Sequence, residues 1–267
     1  MPRIALGIEY DGSQFFGWQS QRQQRNIQDT LQFALTKIAQ HPVLVNCAGR
    51  TDTGVHALEQ VVHFDTSAQR DLNAWHRGTN SHLPSDIRVI WAQQVSEDFH
   101  ARYSALARFY RYVILNRHTP SPLRYHQTTW CARPLDMEKM NQAAQSLVGQ
   151  HDFSSFRAQS CQSKSPCRYM YFIDVWQQNE QIVIELCANA FLHHMVRNIA
   201  GTLMMIGLGK EPVVWTQELL ALKNRKFAGI TAPSSGLHLA GVYYPNHYGI
   251  SQNPIFKKLP TNIKRFD

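Results

Sequence analysis

The chain has 267 residues, 43% of them hydrophobic, which excludes a polymer too small or too polar to bury a core and allows one large domain or two ordinary ones. Lys and Arg number 27 against 19 Asp and Glu, a formal charge of +8 with histidine neutral, and this balance favours a polyanionic partner. Five unevenly spaced cysteines (Cys47, Cys131, Cys161, Cys167 and Cys187), with no CxxC, argue against a disulfide framework and a structural zinc site. A reducing cytoplasm fits that usage. No signal-like segment opens the chain, and no apolar run reaches the roughly 18 residues of a membrane span, so the expectation is a soluble, unprocessed cytoplasmic protein with no membrane partner.

In chain order, "RIALGIEY" alternates Ile4, Leu6, Ile8 and Tyr10 at the period of a strand, and Asp11-Gly12 stops it. "NIQDTLQFALTKIAQ" places Ile27, Leu31, Ala34, Leu35 and Ile38 at helical spacing behind a capping Asn26. "VLVNC" and "QVVHFD" predict short strands, "DLNAWHRGTN" a helix with Leu72 and Trp75 inward, and "IRVIWAQQV" another strand. The first half therefore runs βαββαβ. From Arg108 the order repeats. "RFYRYVILN" is a strand by its aromatic and β-branched content, and Asp136 to Val148 is a helix ended by Gly149. "RYMYFIDVW" and "QIVIELC" form a hairpin across "QQNE". "AFLHHMVRNIAGTLMMIG" predicts one long apolar helix, "WTQELLALK" an extra one, and "LHLAGVYY" the last strand.

The expected fold class is α+β: two ferredoxin-like (RRM-like) βαββαβ halves, 1–105 and 106–245, joined through a common, mostly antiparallel sheet with the active-site cleft between them. Residues 246–267, polar, basic and broken by proline, predict a surface tail.

One short stretch, "CAGRTDTGVHALEQVVHFDT", carries the strongest hint of chemistry. Gly49 and Gly54 bracket "RTDT", which predicts a tight loop presenting Asp52. Taken alone, an aspartate in such a loop is better explained by its own backbone hydrogen bonds than by catalysis. Arg50 beside it, with basic and aromatic clusters downstream, suits an RNA backbone and its bases.

"GRTDTGVH" resembles the signature GRTDAGVH of the TruA family of tRNA pseudouridine synthases. The likeness extends in order through "IEYDG…FFGWQ", "DFHARYSA", "RFYRYVI", "DFSSFR" and "NAFLHHMVRN", over roughly residues 3 to 245. Thr53 stands where the common pattern has Ala, a small-for-small change in the loop. The resemblance implies an isomerase that breaks the N1 glycosidic bond of uridine on the 3′ side of the anticodon stem-loop, turns the uracil, and rejoins it through C5. It implies no metal and no cofactor, a tRNA partner, and a homodimer.

By position, Asp52 matches the catalytic carboxylate, nucleophile or base, and Arg197 the cation that keeps it charged and oriented. Tyr110 matches the active-site tyrosine that stacks on the target base, Leu237 an apolar wall of the pocket, and Arg50 the base-flipping residue. The stretch Phe99, His100, Ala101, Arg102, Tyr103 matches a tRNA contact, as does Ser160, Cys161, Gln162, Ser163, Lys164, and Arg70 matches another; His118, just after the strand carrying Tyr110, is a weaker match. Each of these alone is more often a solvated surface residue.

His193 and His194 are adjacent on the expected helix, so their side chains diverge by about 100° and are better read as core groups than as metal ligands. Cys161 and Cys167 are read as free thiols. Two rivals stand beside the isomerase: a duplicated RNA-binding module without catalysis, and a glycoside hydrolase that needs a second carboxylate, for which Glu59 and Asp65 are the nearest candidates.

Overall fold

β1 (Arg3–Tyr10) pairs antiparallel with β3 (His56–Asp65) on one side and with β4 (Ile87–Val95) on the other, with Leu6 opposite Val62 and Ala92. This is a computed structural model, and it describes residues 1–251 together with Phe256, Lys258, Leu259 and Ile263. The architecture is α+β with mostly antiparallel strands, in two compact units. The first consists of Met1–Leu106 with the segment that begins at His238, and the second chiefly of Ala107–Leu237.

In the first unit, α1 (Ile27–Ala39) begins where the Asn26 side chain accepts the Asp29 N–H at 2.8 Å, and it ends in a left-handed Gln40. Its apolar stripe, Ile27, Leu31, Ala34 and Leu35, is sealed from solvent. β2 is only Asn46–Cys47, on the edge of β3. After β3, a widened π turn at Ala74–Gly78 leads into α2 (Thr79–His82). Trp75 is buried against Phe64, ring centres 5.1 Å apart, as expected. Leu72 is 45% exposed, because it lies ahead of that turn where Asp71 caps the Ala74 N–H.

The second unit is built on β5 (Ala107–Asn116). It continues with β6 (Thr129–Cys131), α3 (Met137–Ala144), β7 (Gly149–Asp152), β8 (Cys167–Gln178), β9 (Gln181–Ala188), α4 (Met195–Gly207) and α5 (Trp215–Leu222). Its strands run β6-β5-β9-β8-β7, antiparallel except for the parallel β5–β6 edge. β6 and β7, three and four residues long, had no visible period in the sequence. α3 is fastened to β8 by Asn141, which accepts the Val175 N–H at 3.0 Å, and by Gln145, which donates to the Ile173 carbonyl at 2.9 Å.

The predicted long helix from Ala190 is corrected. Asn189 accepts the N–H groups of Tyr169 and Ala190 through its side chain, His194 takes a left-handed φ of 60°, and the helix starts only at Met195. The argument from divergent helical side chains therefore does not apply to His193 and His194, whose rings lie 4.0 Å apart.

β10 (Leu237–Tyr243) returns the chain to the first unit, where His238 and Leu239 pair parallel with His56 and Ala57 of β3. The second half was expected to keep this strand; it groups with the first instead. The start of the expected surface tail is packed against the first unit. Gln93 donates to the Tyr248 carbonyl at 3.0 Å, and Ile250 is 6% exposed. Most of that tail lies outside the described residues.

Candidate functional site

Asp52 belongs to the first unit, in a loop with no regular structure between β2 and β3. The loop is fixed from below. Trp18 donates its backbone N–H to the Thr51 carbonyl at 2.9 Å, the Tyr10 hydroxyl bonds the Thr51 hydroxyl at 2.8 Å, and Gly54 N–H reaches the Phe15 carbonyl at 3.3 Å. Gly17 makes this approach possible. Its φ is +84°, and a Cβ there would sit 2.7 Å from the Thr51 oxygen and 3.1 Å from the Asp52 carbonyl carbon. On the far side, the Gln60 amide bonds both the N–H and the carbonyl of Gly49. Asp52 is half-buried on this support and Arg50, two residues before it, is exposed. The neighbouring Cys47 thiol is pushed up to about 12 by burial, against the opposing charges of Arg50 and Arg102.

Glu59 and Asp65 have structural work in the same unit. Asp65 takes a two-point contact from Arg3, at 2.7 and 2.8 Å, which holds its carboxyl below the usual range. Glu59 accepts the Trp91 indole N–H at 2.9 Å, and burial raises it. Both carboxylates are thus held by partners within the first unit.

Tyr110, Arg197 and Leu237 belong to the second unit. Tyr110 lies on β5 opposite Leu186, is 8% exposed, and meets the Phe191 ring edge-on with centres 4.9 Å apart. Arg197 is the one charged residue of α4 and is half-buried in its first turn. Its Nε donates to the Ala232 carbonyl at 2.7 Å, and the Ala232 N–H returns to the Arg197 carbonyl at 3.1 Å. With Nε committed, a carboxylate is met by the terminal nitrogens of the guanidinium. Leu237 is 5% exposed at the head of β10.

The matched tRNA segments sort by exposure. Phe99 and Ala101 are fully buried, so they shape the turn and their side chains do not face solvent. Ala101 N–H donates to His63 Nδ1 at 3.1 Å, and the N–H groups of Arg102 and Tyr103 both reach His100 Nδ1. Burial pushes His63 down to about 4 and also lowers His100, so both imidazoles stand as neutral acceptors that hold the turn. Arg102 and Tyr103 emerge from it, exposed and stacked, guanidinium over ring at 5.5 Å.

In the second unit, Ser160 bonds His193 Nδ1 at 3.2 Å, and Arg157 holds the Cys161 carbonyl at 2.7 Å. Ser163 accepts from Arg168, and Gln162 and Lys164 are exposed. His118 is exposed. Arg70 is exposed too, but its Nε already serves the Ile38 carbonyl near the end of α1. All five cysteines are free thiols, and no helix among the described residues is long and apolar enough to cross a membrane.

Sequence reasoning did not single out Tyr112, whose buried hydroxyl bonds the Thr129 hydroxyl and the Pro233 carbonyl, or His63. Tyr112 shares a face of β5 with Tyr110, two residues away, and that spacing was the available signal. Nothing local marked His63, since what it holds comes from another element.

A family described as tRNA pseudouridine synthase matches residues 7–104 and 143–245. Among curated relatives, tRNA pseudouridine synthase A of Methylococcus capsulatus is 53% identical across 99% of this chain and 97% of its own length. Those of Aeromonas hydrophila and Vibrio campbellii are 52% and 51% identical, across 95% and 98% of this chain and 94% and 99% of their own lengths. A solved archaeal box H/ACA sRNP complex aligns with 75% of this chain and 44% of that one, at 9% identity and a TM-score of 0.35, a superposition too loose to carry an argument.

Proposed function

The chain belongs to the tRNA pseudouridine synthase family and is an isomerase that converts uridine in tRNA to pseudouridine; from that premise we propose that it acts on the 3′ side of the anticodon stem-loop, with Asp52 as the catalytic carboxylate. The observation that carries the assignment of Asp52 is its loop, pinned through Thr51 and Gly54 and closed over Gly17, which presents a carboxylate on fixed backbone.

The reaction conserves atoms. The N1–C1′ bond breaks, the uracil turns, C5 bonds to C1′, the C5 proton leaves and N1 gains one. In this reading Asp52 acts ionised, as nucleophile or base on the detaching nucleoside. Arg197 keeps it charged where water is excluded and fixes its direction through the terminal guanidinium nitrogens. Tyr110 stacks on the base, and Leu237 forms the apolar wall. Arg50, exposed two residues from Asp52, occupies the space of the extruded nucleotide, whose unstacking costs a few kcal/mol. Arg102 and Lys164, both exposed, neutralise phosphates, while Tyr103 offers an aromatic face.

Asp52→Asn removes the ionised carboxylate without changing size. The expected outcome is loss of pseudouridine formation on unmodified tRNA while tRNA affinity changes little, because phosphate contacts dominate binding. Pseudouridine mapping after incubation with the variant, with a filter-binding measurement beside it, reads both. Normal turnover by the variant defeats the assignment, and modification confined to another arm of the tRNA defeats the anticodon reading.

A further inference from the structure

We propose that Tyr112 is a positioning residue for the isomerisation, its hydroxyl setting the strap Thr231–Leu237 that holds Arg197 at one end and ends in Leu237 at the other. This rests on the reading of Arg197 given above. Tyr112 is fully buried on β5. Its hydroxyl donates to the Pro233 carbonyl at 2.9 Å, and it lies 2.6 Å from the Thr129 hydroxyl. One phenolic proton cannot serve both, so the Thr129 hydroxyl donates to Tyr112. Burial raises the phenol far above its usual range, against the opposing charge of Arg197, and it stays a donor at every working pH.

The strap is gripped along its length. Its residue Ala232 takes the Arg197 Nε and returns its own N–H to the Arg197 carbonyl. One residue earlier, the Thr231 hydroxyl donates to Asn198 Oδ1 at 2.7 Å, and Arg225 Nη2 reaches both groups at 3.0 and 3.1 Å. Asn198 is in turn tied to the Phe156 carbonyl at 2.7 Å. Past Pro233, Gly236 packs so closely that a Cβ there would lie 2.7 Å from the Thr129 hydroxyl and 3.0 Å from Tyr112 Cζ. The Tyr112 hydroxyl therefore sits at the middle of the strap, between the carbonyl that orients Arg197 and the side chain of Leu237. Freeing Pro233 lets both ends shift together, and displacements of an ångström in such a constellation cost about a hundredfold in rate.

Tyr112→Phe keeps the ring and removes both hydrogen bonds. Single-turnover pseudouridine formation should fall roughly ten- to a hundredfold, with tRNA Kd unchanged. Arg197→Lys keeps the charge but loses the Nε anchor, and it should slow the same step. In the double variant the Tyr112→Phe loss should vanish, because its effect passes through an anchor already gone. Thr231→Val, which releases the other grip on the strap, is the second variant and should behave the same way. A wild-type rate in Tyr112→Phe, whatever Thr231→Val does, or losses fully additive with Arg197→Lys, overturn the inference. So does a fall in Tm accompanied by weakened tRNA binding at unchanged single-turnover rate, the signature of a purely structural role. Wild-type turnover by Arg197→Lys removes the reading of Arg197 itself; a slow Arg197→Lys with an unaffected Tyr112→Phe removes only this inference.

Discussion

Gly17 has no side chain, and the backbone of Thr51 to Thr53 passes over it so closely that the Thr51 oxygen would collide with any Cβ there. The presentation of Asp52 thus depends on a residue far from it in sequence. Gly17→Ala meets both the collision and the positive φ, so it should destabilise the fold by about 1–3 kcal/mol and slow isomerisation well beyond what the stability loss explains. Chemical denaturation paired with single-turnover rates separates the two effects, and an unstrained Gly17→Ala with full rate would place the loop's rigidity elsewhere. At this scale the sequence was informative where the motif was contiguous. "GRTDTGVH" put Asp52 and Arg50 forward together as candidates. Tyr112 stayed hidden because its partner Pro233 is 121 residues away and its own neighbourhood reads as ordinary strand.

The turn Phe99–Tyr103 is held by two imidazoles acting as acceptors, which makes its stability pH-dependent. Folded His63 titrates near 4 and an unperturbed histidine near 6.5. Above the higher value it is neutral in both states and its contribution is fully present. As pH falls through the window, the unfolded chain binds a proton that the folded one withholds, and stability drops by about 2 kcal/mol by pH 5 from this group alone. Urea unfolding at pH 7 and pH 5 should show that loss in the wild-type protein and a visibly smaller one in His63→Gln, which accepts a hydrogen bond without titrating. Equal losses in both would remove His63 from the account. Elements with a long clean period were legible. α1, with its Asn26 cap and its stripe, starts and ends close to where the sequence places it. α4 was misread at its start because "AFLHH" is as apolar as the helix that follows, and only the Asn189 side chain and the left-handed His194 set the boundary.

For the molecule as a whole, a charge of +8 is a statement about association with a polyanion. Binding of tRNA should weaken steeply with salt, and Arg102→Ala or Lys164→Ala should each make the log–log slope shallower by about one ion while weakening affinity for all tRNAs alike. An unchanged slope in both variants would move the RNA path to another surface. The repeated βαββαβ order was readable in the sequence as two successive halves, yet periodicity has no means of telling which sheet a strand joins. β10 was therefore assigned by its position in the chain and not by its pairing with β3. That pairing makes the first unit discontinuous, its two parts closed by the Leu106 N–H on the Tyr243 carbonyl at 2.8 Å. During synthesis, then, the N-terminal part of this protein emerges first and must wait for all of Ala107–Leu237 to follow before its own last strand arrives. A nascent chain stalled before His238 carries the whole of Ala107–Leu237, while the edge of β3 at His56 and Ala57 still waits for the strand that will cover it.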